Sequence, residues 1–186
     1  LKLYLIRHPR PADVQGVCYG RQDVAISAAA LDQALTSIRA HPEADALLRC
    51  KVFSSPSTRC LLLARALAAP RAVTRSDDLR ELDFGAWEGR AWDALPRDEL
   101  DAWAADVWDY RPGGVESAAM VADRWLRWSA WLQRSGVASA LAVTHAGVIR
   151  VARLCSGTLG AATFAQAVIE HGSVHRIELA ALRSPA

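Results

Sequence analysis

Leu3-Tyr4-Leu5-Ile6-Arg7-His8-Pro9 and Ala140-Leu141-Ala142-Val143-Thr144-His145-Ala146-Gly147 decide the fold of this chain. Each is a short apolar run that ends on a histidine, and strand-length apolar runs bounded by turn signals read as β-strands. A third run, Val52-Phe53, closes on Ser54-Ser55-Pro56-Ser57-Thr58-Arg59. As parallel strands of an α/β sheet, the three would end along one edge, where open α/β sheets bind ligands. That edge would gather the imidazoles of His8 and His145 with the guanidiniums of Arg7 and Arg59. Guanidinium forks match phosphoryl oxygens, and an imidazole is able to attack phosphorus.

Working outward, the connecting segments read mainly as helices. Ser27 has the character of an N-cap for a helix over 28–39, with Leu31, Leu35 and Ile38 at helical spacing and Pro42 beyond its end. A helix over 57–68 starts at Ser57 and stops before Pro70. Ala72-Val73-Thr74 reads as a short strand. Helices over 117–134 and 146–155 and a last strand near 173–180 complete the pattern. Trp125, Trp128, Trp131 and Leu132 share one broad face of the long helix, which predicts packing against the sheet. Residues 79–115 differ in character. Leu82, Phe84, Trp87, Trp92, Trp103 and Trp108 lie there among acids, glycines and prolines. We read this stretch as an excursion over the sheet edge with one helix at about 96–108. Alternating strands and helices predict a three-layer α/β/α sandwich, mostly parallel, in a single domain over 1–186.

Composition narrows the function. The chain has 186 residues, 52% hydrophobic and 23% charged, with a formal net charge of +2. That length buries a proper core. That charge does not suggest a nucleic-acid partner. No apolar run has the length of a membrane span. Cys18, Cys50, Cys60 and Cys155 form no CxxC pair and match no zinc spacing. Residues 1–6 lack the features of a signal peptide, so a cytoplasmic protein with reduced thiols is expected. Cys60 reads as a small core residue. The histidines lack a close ligand pair and the arginines would repel a cation, so no metal and no cofactor is expected.

The blocks Leu5-Ile6-Arg7-His8-Pro9, Ser54-Ser55-Pro56-Ser57-Thr58-Arg59, Glu81-Leu82-Asp83-Phe84-Gly85-Ala86-Trp87-Glu88-Gly89 and Thr144-His145-Ala146-Gly147-Val148-Ile149-Arg150 resemble, in order, the signature blocks of the histidine phosphatase superfamily. This is the phosphoglycerate-mutase-like group. Pro112-Gly113-Gly114-Val115-Glu116-Ser117 is similar to its Pro-Gly-Gly-Glu-Ser helix start, with Val115 as an extra residue. The resemblance implies metal-independent hydrolysis of a small phosphomonoester through a phosphohistidine.

Under that resemblance His8 would be the nucleophile. Arg7 and Arg59 would clamp the phosphoryl oxygens and hold His8 neutral. His145 and the helix opening at Ala146 would add donors. Glu81 would be the general acid, with Asp83 and Glu88 as competitors. A backbone carbonyl from the residue after the nucleophile orients the imidazole in the family. Here that residue is Pro9, which keeps a carbonyl but has no N–H. Val14 stands where many relatives have Asn. Cys18-Tyr19-Gly20-Arg21-Gln22-Asp23 resembles a loop of the α-ribazole phosphatases of the cobalamin pathway. It marks Tyr19, Gly20 and Arg21 as candidate substrate contacts; the tryptophans of the excursion read equally as a stacking surface for a flat base and as packing of the excursion onto the sheet. Alternatives are a broad-specificity small-molecule phosphatase or a phosphohistidine phosphatase. A mutase or a non-catalytic phosphate-binding module ranks below these. The partners expected are a small phosphomonoester and, at most, a second copy of the chain; His171 is a possible neighbour of the pocket without a catalytic role.

Overall fold

Strand β1 (Lys2–Arg7) shows how the chain builds its layers. Successive side chains of a strand point to opposite faces. Tyr4 and Ile6 enter one core, while Leu3 and Leu5 enter the other. The first core is closed by helices α1 (Ala28–Arg39) and α3 (Thr58–Ala68), through Leu35, Ile38, Leu63 and Leu67. The second is closed by α5 (Ala118–Arg134) and α6 (Ala146–Cys155), through Trp125, Trp128, Leu132, Val148 and Ile149. Each large apolar side chain so buried contributes about 1.5–3 kcal/mol. The computed structural model describes residues 1–179, and within them the three-layer α/β/α sandwich is present.

The remaining strands are β2 (Lys51–Ser54), β3 (Val73–Arg75), β4 (Ser139–Thr144) and β5 (Val174–Glu178). They lie in the order β3-β2-β4-β1-β5. All neighbours are parallel except β1 and β5. Register matters for the site. Arg7 pairs with Thr144 and Ser54 with Val143, so three parallel strands end almost level. His8, Ser55 and His145 are the residues that leave those ends.

Several expectations are corrected in detail. A short helix, α2 (Ala44–Leu48), precedes β2 in a stretch to which the sequence assigned no element. The helix of the excursion, α4 (Arg97–Ala105), is shorter than 96–108. Ser57 places no side-chain bond on the start of α3. Asp23 takes that position: Thr58 donates to it through its backbone N–H at 3.0 Å and its hydroxyl at 2.5 Å. Trp131 is 45% exposed, unlike Trp125 and Trp128. Six residues of helix carry it about 120° around the axis from Trp125, off the sheet-facing side. The last strand ends at Glu178, and the expected residue 180 lies outside the described residues.

Residues 79–115 do not present a free aromatic surface. Trp87 and Leu95 pack with Cys18 into a small third core flanked by Phe84, Trp92, Leu100, Trp103 and Tyr110. Trp92 and Trp103 stack with their planes 8° apart, and Phe84 meets both edge-on. Most of this aromatic area is spent on holding irregular backbone together.

Candidate active site

His8 leaves β1 with its amide bonded to the Thr144 carbonyl. Its ring is buried, and Nδ1 lies 2.7 Å from the Pro9 carbonyl. A carbonyl only accepts, so Nδ1 carries the proton and Nε2 presents a lone pair. The departure from glycine at position 9 therefore keeps the orienting bond. Burial first, and then the Arg59 guanidinium, hold His8 well below the ordinary histidine value; Arg7 adds to this. The ring is held neutral, with the lone pair of Nε2 presented to the pocket.

Arg59 is 0% exposed and stands between the two histidines. Its Nε lies 3.4 Å from His8 Nε2 and its Nη2 lies 3.3 Å from His145 Nδ1. The far side of the fork donates to the Gly20 carbonyl at 2.6 Å and the Gln22 carbonyl at 2.8 Å. Arg59 thus ties the 18–23 loop to the cage while two of its nitrogens face the imidazoles. Arg7 donates from Nη1 to the Ile169 carbonyl, and its buried Nε has no partner among the described residues. A buried donor without a partner is costly, and a phosphoryl oxygen would satisfy it.

His145 is held differently from the expectation. Its Nε2 lies 2.8 Å from the Ser55 hydroxyl. Arg59 can only donate to Nδ1, so the neutral ring carries its proton on Nε2 and gives it to Ser55. Ser55 in turn reaches Ser57 Oγ at 3.4 Å. Burial, then the neighbouring His8 and Arg59, keep His145 well below the ordinary value. Donation from Nδ1 to a phosphoryl oxygen therefore requires a second proton on this ring. An arriving dianion favours that proton electrostatically. Cys60 Sγ lies 3.5 Å from His145 Nε2 and is fully buried, as a core residue should be; burial pushes its thiol up.

Glu81 arrives from the excursion. Its Oε1 accepts from the Leu82 amide at 3.0 Å and its Oε2 from the Gly147 amide at 3.2 Å. The opening of α6 after Ala146 thus holds the candidate acid as well as facing the pocket. A side chain at Gly147 would meet Glu81 Oε1 at 2.4 Å, so only glycine permits this approach. The competitors are occupied elsewhere. Glu88 accepts from the amides of Arg21, Gln22 and Phe84 at 2.7, 2.6 and 3.1 Å. Asp83 accepts from the Gly85 amide and lies 3.5 Å from Arg21.

Of the loop residues, Gly20 gives its carbonyl to Arg59, and a side chain there would strike the Leu82 carbonyl at 2.1 Å. Tyr19 places its ring 5.6 Å from the Arg59 guanidinium carbon. Arg21 is engaged with Glu116 at 3.3 Å and Asp83 at 3.5 Å, which makes it a strut between loop and excursion.

His171, expected as a neighbour of the pocket, has its ring 5.2 Å from that of His8 and its Nδ1 3.3 Å from the His8 carbonyl; burial, then Arg7, lower it to about 4. Two features were missed in the sequence. One is Ser55, hidden in a motif read for its arginine. The other is Arg124, in the middle of α5. It meets Glu116 at 2.8 and 3.1 Å and donates to the carbonyls of Asp78, Arg80 and Glu81. Burial pushes Glu116 up, but the bonds and charge of Arg124 outweigh it and the carboxyl sits below its ordinary value. A lone Arg on an otherwise apolar helix face was the available signal for this pair. Among the described residues, no helix is long and apolar enough to cross a membrane, and no group of three or more His, Cys, Asp or Glu is placed to hold a metal ion.

Comparison with known proteins bears on the fold and the family. No curated protein sequence matches the chain significantly. Solved structures match over nearly its whole length. The alpha-ribazole phosphatase of Shigella flexneri has a TM-score of 0.79 at 23% identity, covering 96% of this chain and 90% of its own. A mycobacterial glucosyl-3-phosphoglycerate phosphatase has 0.79 at 23%, covering 94% and 91%. The phosphoserine phosphatase of Entamoeba histolytica has 0.73 at 19%, covering 94% and 89%. At these identities the likeness establishes the fold. The family model of the histidine phosphatase superfamily (branch 1) matches residues 3–183. With that match over a cage of His8, Arg7, Arg59 and His145 on level strand ends, the chain belongs to the histidine phosphatase superfamily.

Proposed function

We propose that the chain is a metal-independent phosphomonoester hydrolase that works through a phosphohistidine on His8. The observation that carries this is the locked imidazole: Nδ1–H on the Pro9 carbonyl, Nε2 unprotonated beside Arg59. Nε2 attacks phosphorus in line, and the bond from phosphorus to the ester oxygen breaks. Glu81, in its protonated form, gives its proton to the leaving oxygen. The transferred group is held by Arg7 Nε, Arg59 and a doubly protonated His145. Water then attacks the phosphohistidine and gives its proton back to Glu81. Phosphate leaves and His8 returns neutral. The arginine charges serve the role a cation would otherwise play.

We further propose an α-ribazole 5′-phosphate-like substrate, a nucleoside monophosphate with a flat base. The Cys18–Asp23 loop and the likeness to an alpha-ribazole phosphatase fold support it. A second reading, broad specificity for small phosphomonoesters, is favoured by one observation: Arg21 is bonded to acids of the excursion and has little left for a ribose. The test is a phosphate-release screen in excess chelator, with α-ribazole phosphate, 3-phosphoglycerate, phosphoserine and p-nitrophenyl phosphate. A markedly higher kcat/KM for α-ribazole phosphate supports the first reading, and equal values support the second. Loss of all activity in chelator, restored by a divalent ion, overturns the mechanism.

A further inference from the structure

Beside Glu81, where α6 opens after His145, lies a half-open and largely apolar cavity of about 110 Å³. Its walls include Leu82, Phe84, Trp103, Ala118, Val121 and Phe164, and it ends at the first turn of α6. Apart from the Glu81 carboxylate and Arg150, the side chains around it are hydrocarbon or aromatic. Arg150 spends its Nε on the Ala167 carbonyl at 2.7 Å, pinning the segment that carries Phe164. Trp103 is braced by stacking on Trp92, and Phe164 meets Trp108 edge-on at 5.6 Å. The walls are therefore fixed by packing outside the cavity, so the cavity keeps its shape without an occupant. In volume it compares with an apolar cavity of about 150 Å³ that takes one benzene molecule.

We infer that this cavity is a subsite for an apolar, ring-sized group carried by the leaving alcohol. The inference rests on the hydrolase reading, because it makes Glu81 the hinge between two pockets. The same carboxylate that protonates the leaving oxygen forms part of the apolar wall. An alcohol whose oxygen lies at Glu81 can extend its carbon skeleton into the cavity. The transferred phosphoryl group stays with the arginines. A substrate anchored there places its ester oxygen at the acid, and remote binding energy of this kind raises kcat as well as lowering KM. The selectivity then comes from Phe84 and Phe164, on irregular segments, and from Trp103 on α4, and not from the 18–23 loop. It predicts esters of aryl-substituted alcohols as the substrate class, ahead of sugar and hydroxy-acid phosphates.

The test uses the intact protein and a series of alkyl esters: ethyl phosphate against benzyl, 2-phenylethyl and 3-phenylpropyl phosphate. These alcohols leave with similar difficulty, so the ratio of kcat/KM reads the subsite. The best aryl ester should exceed ethyl phosphate by about 10- to 100-fold. Ala118→Leu, which fills the cavity, should bring that ratio below about twofold. Phe164→Ala, which removes one wall, should lower it at least about threefold, and decides the matter if Ala118→Leu does not fold by circular dichroism. A ratio near one in the unaltered protein, with ethyl phosphate still hydrolysed and His8 labelled, overturns the subsite and leaves the hydrolase standing. A high ratio unmoved by the folded variants also overturns it and places the ring elsewhere. If no ester turns over and His8 takes no label, both readings fall together.

Discussion

His8 and His145 extend directly from β1 and β4, whose side chains are buried on both faces and whose register is set by the sheet. Glu81 sits instead in the excursion over 79–115, which contains short 3₁₀ turns and one short helix but no strand. The first region is positioned by backbone pairing and apolar packing. The second is positioned by side chains acting as backbone surrogates: Glu88 on three amides, Arg124 on three carbonyls, and a tryptophan cluster in place of a sheet. The difference teaches where each part of the chemistry is exposed to change. The proposed nucleophile and its clamp are tied to the core, so disturbing them should leave the fold. The proposed acid is tied to a polar network, so its position and the stability of the excursion should fail together.

The largest effect expected is at the nucleophile. His8→Ala should lower kcat by about 10⁴-fold or more on every ester while the denaturation midpoint stays close to that of the parent. Brief exposure of the parent to labelled substrate, quenched in denaturant, should leave acid-labile, base-stable phosphate that His8→Ala does not carry. Near-parent turnover by the variant would break the comparison at its root.

Glu81→Gln should separate the two regions by leaving group. Loss of general acid–base assistance is worth about 10²–10⁴-fold, and it should fall on alkyl phosphates while p-nitrophenyl phosphate is largely spared. Rates on the two ester types settle it, since an equal loss on both would return the acid role to Asp83 or Glu88.

Arg124→Met tests the coupling inside the excursion. Both members of the Glu116–Arg124 pair are buried, and removing Arg124 leaves the Glu116 carboxylate with only the partly exposed Arg21 as counter-charge. Breaking a buried pair costs about 3–5 kcal/mol when the remaining charge is uncompensated, so a loss below that range is expected, read by urea denaturation. The same variant should reduce activity on alkyl phosphates more than on p-nitrophenyl phosphate, because three carbonyls around Glu81 lose their donor. A variant of parental stability would show that the network is decoration on the tryptophan cluster.

The smallest effect, per group, is the acid sensitivity of the cage. His8 and His145 lie well below the ordinary histidine value, and His171 and His175 at about 4, in each case chiefly through burial. The unfolded chain takes up these protons from about pH 6.5 downward and the folded chain does not. Their contribution is therefore complete above about pH 6.5 and is lost as pH falls toward about 4. The slope is about 1.4 kcal/mol per pH unit per histidine. Chemical denaturation between pH 7 and 4.5 measures it, and His175→Ala, away from the site, should flatten the curve by one histidine's share. By the same sign, kcat/KM of the free enzyme should not drop at pH 6.5, because His8 is already neutral there.

The sequence by itself determined the layer order, the parallel core strands and the four cage residues, because these depend on local periodicity and on which residue follows a strand. Resemblance to the family's motifs marked Glu81 as the candidate acid and Pro9 as a departure that keeps its carbonyl for His8. Tertiary structure decided what depends on meeting across the chain. Arg59 fixes the tautomer of His145 from 86 residues away, Ser55 takes its Nε2 proton, and Arg124 holds the Glu81 backbone from 43 residues away. Asp23 rather than Ser57 caps α3, and Arg21 turns from the substrate to Glu116. The tryptophans of the excursion read equally as a stacking surface or as a core, since hydrophobicity says that a ring will be buried but not against what. Only the fold put Trp87 inside, Trp131 outside, and Trp103 on the wall of a cavity beside the acid.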